Sequence, residues 1–157
     1  MTRLYARRVG GGRIHEATPG WKILTILGAM RSNGMAATMT IEAATDADIF
    51  RVFVENVLCP TLRAGDVVVM DNLSSHKVSG VVERIAERGA SVLDLPPYAP
   101  DLNPIEKAWS KMKQYLRSVR ARSREDLESA ITQALARITS ADAQAWFRHA
   151  TPKLQEQ

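Results

Sequence analysis

The sequence predicts an α/β fold, a mixed sheet flanked by helices, and three observations carry that prediction. Ser32-Asn33-Gly34 supplies hairpin turn chemistry between two apolar runs. Val67 to Met70 is a short, all-apolar, β-branched run of the kind buried on both faces of a sheet. Segments of helical period then alternate with short apolar runs through the rest of the chain.

In order, Trp21 to Met30 reads as a nearly continuous apolar strand, and Met35 to Ile41 as its hairpin partner. Thr45 with Asp48 three positions on marks a capped helix start. Ile49, Phe50, Phe53, Val54, Val57 and Leu58 recur at helical spacing until Pro60 stops them. The Val67–Met70 strand delivers Asp71-Asn72 at its carboxyl end. A helix follows from about Lys77 to Arg88, with Val78, Val81, Val82 and Ile85 on one face and Gly89 as its stop, and then a strand over Ser91 to Leu95. Pro96-Pro97-Tyr98-Ala99-Pro100 forces an extended linker, and Asn103-Pro104 opens a helix to about Arg120 with Asn103 as cap. Ser123 and Asp126 cap another helix with Leu127, Ile131, Leu135 and Ile138 on its face, and Ser140 is expected to cap a short last one holding Trp146 and Phe147.

The chain has 157 residues, 45% of them hydrophobic, enough for one core, so residues 1–157 are expected to form a single domain. The longest apolar run, around Ile23 to Met30, is too short to span a bilayer, and no leader pattern opens the chain, so a cytoplasmic location without a membrane partner is expected. The single cysteine, Cys59, has no partner for an internal disulfide and reads as a packing residue. Charge is uneven. Residues 1–13 carry four arginines and no acid, residues 103–125 carry a net +5, and the total of +4 leaves −5 on the remainder. Two basic zones on an acidic body suit a polyanion such as a nucleic-acid backbone; solvated surface charge is the bland alternative.

Two acids stand out by position. Asp71 ends a buried strand, where α/β folds place their sites, although an Asp there also forms turns. Glu106 lies in the first turn of a later helix, where a carboxylate complements the helix dipole whether or not it does chemistry.

The words around them decide between these readings. Val-Val-Val-Met-Asp-Asn-Leu-Ser-Ser-His-Lys, then Leu-Pro-Pro-Tyr-Ala-Pro-Asp-Leu-Asn-Pro-Ile-Glu-Lys-Ala-Trp, resemble the DDE transposases of the mariner-like superfamily, closest to the bacterial insertion-sequence-630 type. Asp71 and Glu106 are separated by 34 residues, which matches the second-to-third acid spacing of that superfamily. The resemblance implies an RNase H-like sheet, with Asp71 as the second metal-binding acid and Glu106 as the third. It implies Mg²⁺ or Mn²⁺, hard ions that prefer oxygen ligands, in a two-metal site for DNA strand cleavage and strand transfer.

The sequence departs from the family in one respect. The strand that carries the first acid would precede the segment resembling Arg3 to Arg13, so the sheet is expected to lack its first strand and to expose edges, and the two-metal site is expected only when that acid is supplied. Nor is the family's amino-terminal helix-turn-helix module expected in residues 1–157. The expected partners are DNA, as transposon ends and target, and an upstream-frame product or full-length transposase, with a dimer allowed. The alternative is a non-catalytic DNA-binding or transposase-interacting remnant.

On the helix opened by Asn103-Pro104, Ile105, Ala108, Trp109, Met112 and Leu116 form the core stripe, which leaves Glu106, Ser110, Lys113 and Arg117 along an adjacent face. Lys107, Lys113 and Arg117 are therefore expected to meet DNA phosphates. Asn72 and His76, following Asp71, are candidates to stand beside the site. Trp109 is expected in the core, and Asp101 and Asn103 in shaping the turn and the cap.

Overall fold

A computed structural model describes residues 3–8, 24–42, 47–71, 79–96 and 102–155, with backbone only for 3–8, 71 and 152–155. Five strands form one sheet: β1 (Arg3–Arg8), β2 (Thr25–Arg31), β3 (Gly34–Ile41), β4 (Val67–Asp71) and β5 (Ser91–Leu95), in the order β3-β2-β1-β4-β5. β1 and β3 pair antiparallel with β2, whereas β1–β4 and β4–β5 are parallel. This is the mixed sheet of an RNase H-like fold.

The expectation of a missing first strand is corrected here. Arg3–Arg8 fills the central place, with Arg3 opposite Val67 and Arg7 opposite Gly28. Its three arginines hide it from a reading by hydrophobic period. What places it is the pair of hydrogen-bonding edges that β2 and β4 would otherwise leave open, and a chain segment that pairs with both removes that liability.

Strand alternation divides the interior into two cores. Ile26 and Met30 of β2, Val69 of β4 and Leu95 of β5 face one core, which is completed by α3 (Ile105–Val119), α4 (Arg124–Ala136) and α5 (Ser140–Gln155). Leu27, Ala29, Val68 and Met70 face the other, against α1 (Ala47–Phe53) and α2 (Val81–Glu87). The period of two along β2 and β4 thus builds a three-layer sandwich of helices, sheet and helices.

Local chemistry shifted several expected boundaries. The helix starting at α1 continues as a π-helical turn over Val54–Leu58 and a 3-10 turn over Cys59–Thr61. Pro60 has no N–H to donate and its ring cannot sit against the carbonyl four residues earlier, so the helix widens before it. α2 begins at Val81 instead of near Lys77, because Gly80 ahead of it adopts the left-handed conformation at φ 90°. Val81 and Ile85 are fully buried while Val82, one helical step round, is 47% exposed, so it does not share their face.

Ser123 caps α4 as expected, its hydroxyl accepting from the Asp126 N–H at 3.1 Å. The last helix is longer than expected and its cap is Thr139, not Ser140. The Asp142 N–H donates to Thr139 Oγ1 at 3.0 Å and the Thr139 N–H donates to Asp142 Oδ2 at 3.1 Å, a reciprocal capping box. Lys111 Nζ on α3 donates to the same Asp142 Oδ2 at 2.5 Å and to the Arg137 carbonyl at 2.8 Å, tying α5 to α3. Among the described residues no helix is long and apolar enough to cross a membrane.

Candidate functional site

Buried contacts in the sheet determine where α3 lies. An atom placed at the Cβ position of Gly28 would stand 2.8 Å from Trp109 Cη2 and 3.0 Å from Met35 Cε, so the indole occupies the space glycine leaves open on β2. Trp109 is 4% exposed and belongs to the core, as expected. Ile105, Ala108 and Met112 are buried with it and Leu116 is half-buried, so the predicted stripe is the docked face.

Glu106, about one helical turn before Trp109, is half-buried. Asp71 is the last residue of β4, and its Cα partner across the parallel pair is Leu95, the last residue of β5. Asp71 thus lies at the carboxyl-terminal edge of the parallel strands, and Glu106 lies in the first turn of α3, the element that follows β5. Open α/β sheets bind their ligands at such edges. Asn72, His76 and Asp101 lie outside the described residues.

The predicted cap at Asn103 is not made. The Glu106 N–H donates to the Asn103 backbone carbonyl at 3.1 Å, closing a tight first turn and taking the donor a side-chain cap would use. Asn103 is 2% exposed, and among the described residues neither its amide nitrogen nor its amide oxygen has a hydrogen-bond partner. It borders an open cleft of about 490 Å³ between the start of α3 and α5. Pro104, Glu106, Lys107 and Ser110 form one side of this cleft, and Trp146 and His149 form the other.

Of the predicted cations, Lys107 is exposed and lines the cleft beside Glu106. Lys113 is half-buried and Arg117 exposed further along α3, away from the cleft, and neither side chain makes a hydrogen bond or ion pair with a described residue. Sequence reasoning missed Trp146 and His149 as site neighbours. Their spacing of three along one helix was visible, but the face of α5 that meets α3 was not.

It also missed a buried ion pair at the entering end of β4. Arg31 at the end of β2 donates from Nη1 and Nη2 to Asp66 at 3.2 and 2.5 Å and from Nη2 to the Thr61 carbonyl at 2.8 Å, while the Arg63 N–H donates to Asp66 at 2.8 Å. The hydrogen bonds from Arg31 hold the Asp66 carboxyl below its ordinary pKa, against the opposing effect of burial. Cys59 is buried and its thiol pKa is raised by desolvation, in keeping with a packing role.

Residues 3–128 match the family described as DDE superfamily endonuclease. The chain belongs to that family. The Tcb2 transposable-element transposase of Caenorhabditis briggsae is 29% identical over 100 residues, 61% of this chain and 37% of the relative. This DDE chain therefore spans little more than a third of the length of that relative in the matched region. Among solved structures, the pre-cleavage Mos1 transpososome superposes with TM-score 0.79 at 14% identity, over 98% of this chain and 54% of that one. The Mos1 mariner paired end complex with Mg gives 0.74 at 15% identity, over 99% of this chain and 54% of that one. These likenesses establish that the chain folds as the matched half of the Mos1 chain does.

Proposed function

We propose that this chain is part of a transposase catalytic domain that cleaves DNA and joins its strands with divalent metal ions, Asp71 and Glu106 being metal-binding acids. The observation that carries the reading is the match of residues 3–128 to the DDE superfamily endonuclease family, with Asp71 ending β4 and Glu106 in the first turn of α3. Both residues are carboxylates, the oxygen donors that hard cations such as Mg²⁺ and Mn²⁺ select. Bound there, a pair of such ions would supply Lewis-acid stabilisation to the attacking and leaving oxygens of a phosphodiester.

The residues of the chain itself prepare that chemistry. Trp109 seated on Gly28 fixes the turn that bears Glu106, and the β4–β5 pairing fixes the backbone of Asp71. Lys107, Lys113 and Arg117 present positive charge along α3 to the phosphates of transposon-end and target DNA. Among the described residues no three His, Cys, Asp or Glu side chains come together as a metal site. β1 occupies the place where the resemblance puts the first acid, but Arg-Leu-Tyr-Ala-Arg-Arg offers no carboxylate. A complete two-metal site therefore needs a further acid from another segment, and a β1 with three arginines and no acid favours, as a second reading, a DNA-binding element that does not cut.

The test is Mn²⁺ binding followed by electron paramagnetic resonance, with nicking of supercoiled plasmid measured in the same samples. Asp71→Ala and Glu106→Ala are each expected to weaken Mn²⁺ binding by about ten-fold or more, since even outer-shell changes cost metal sites roughly that much. Unchanged affinity in both variants refutes the assignment. Binding that depends on both acids without nicking favours the second reading.

A further inference from the structure

The cleft between α3 and α5 holds groups that phosphodiester cleavage does not call for. Among the described residues, the buried side-chain atoms without a hydrogen-bond partner are both amide atoms of Asn103 and the indole nitrogen of Trp109. Only Asn103 borders the cleft. A buried amide left without partners is costly, and such a group in a folded protein calls for an explanation. A side-chain amide offers one donor and one acceptor side by side, the pattern that pairs with a base edge, above all the N6 and N7 of adenine.

The opposite wall supplies rings. Trp146 packs partly against the core of α3, α4 and α5, which steadies it, and it remains partly exposed to the cleft with His149 three residues on. Lys107 adds a cation on the α3 side. At about 490 Å³ the opening falls within the roughly 300–1,000 Å³ typical of ligand clefts.

We propose that this cleft is a subsite for one unpaired nucleotide of the DNA strand engaged at Glu106. Its base stacks on Trp146 beside His149, its edge is read by Asn103 once that covered side chain turns out into the cleft, and its phosphate is met by Lys107. The inference rests on the transposase reading for the identity of the strand, but its geometry stands without metal. A base inside a duplex cannot present its face to a protein ring, so the subsite selects a nucleotide already out of the stack.

The experiment is binding of the whole chain, in EDTA, to two labelled duplexes of equal length, one blunt and one ending in a single unpaired 3′ adenosine. Stacking of one base on an aromatic side chain predicts a preference of about ten-fold for the unpaired end, within a range of roughly five- to 150-fold. Replacing that adenosine by an abasic residue removes the preference and needs no protein variant. Trp146→Ala also removes it and Trp146→Phe keeps most of it, both with an unchanged salt dependence and an unchanged far-ultraviolet circular dichroism spectrum. Equal binding of blunt and unpaired ends by the wild-type chain overturns the proposal, as does a folded Trp146→Ala variant that retains the preference. A chain that shows the preference while its Mn²⁺ affinity ignores Asp71 and Glu106 keeps the subsite and loses the cleavage reading.

Discussion

Replacing Gly28 by Ala tests whether the seat of Trp109 on β2 sets the position of the helix that carries Glu106. The added methyl group would stand 2.8 and 3.0 Å from Trp109 Cη2 and Cζ2 and 3.0 Å from Met35 Cε. Ordinary carbon contacts begin near 3.5 Å, so relief requires movement of about half an ångström or more between sheet and helix. Met35 can swing its terminal methyl aside, but Trp109 is 4% exposed and packed in the core, so the helix must give. Overpacking of this kind costs about 1–3 kcal/mol, while the loss of glycine's freedom in the unfolded chain returns about 0.4–1 kcal/mol. Gly28→Ala is therefore expected to destabilise the domain by about 1–2 kcal/mol, on the same principles. Trp109→Phe removes the two clashing ring atoms, so the double variant should cost less than the sum of the singles by about 1 kcal/mol or more. Urea denaturation followed by circular dichroism measures all four proteins, with a constant slope confirming that the native and unfolded states stay comparable. Additivity within about 0.5 kcal/mol, or a more stable Gly28→Ala protein, refutes the seat.

Two further outcomes follow from the charged groups. Asp66→Asn leaves the guanidinium of Arg31, 6% exposed, without its counter-charge and is expected to cost about 3 kcal/mol. Because the folded-state pKa of Asp66 is depressed, its contribution is complete above the ordinary carboxylate pKa and is lost as pH falls through the lower folded value, so wild-type stability should decline with acid in that window more steeply than that of Asp66→Asn. Parallel acid titrations of the two proteins would refute this. Replacing both Lys113 and Arg117 by Ala should weaken duplex binding and reduce the slope of log K against log salt by about 1.8, roughly 0.9 for each phosphate that is no longer neutralised, and an unchanged slope would show both side chains to be merely solvated.

What the sequence made legible was whatever a local period or a short motif encodes. The run before Asp71 is uniformly apolar because β4 has β1 and β5 on its two sides and a core on each face, and the stripe from Ile105 to Met112 is the docked face of α3. The motif spacing singled out Asp71 and Glu106, and the structure puts the first at the end of β4 and the second in the first turn of α3. β1 escaped detection because its pairing is imposed by two neighbours and not by its own residues. The Arg31–Asp66 pair spans 35 positions with no local trace, and the cleft beside Glu106 depends on the face of α5 that meets α3, which follows from the Lys111–Asp142 tie and from packing.

The arrangement separates stability from chemistry along one strand. Asp66 immediately precedes β4 and is clamped there by Arg31 and by the Arg63 N–H, whereas Asp71 ends the strand. Five residues of strand, at roughly 3.3 Å each, put about 16 Å between them. That is beyond the roughly 8–10 Å over which exposed charges interact at ordinary salt. The clamp fixes the entering end of β4 without touching the electrostatics of the leaving end, so loss of Asp66 should lower stability while leaving Mn²⁺ affinity in the surviving folded protein unchanged. Trp109 acts likewise on α3, bearing on Gly28 one turn after Glu106. Asp71 thus ends a strand clamped at its entering end, and Glu106 opens a helix seated one turn later by Trp109, so the rigidity of both elements is secured away from the candidate acids.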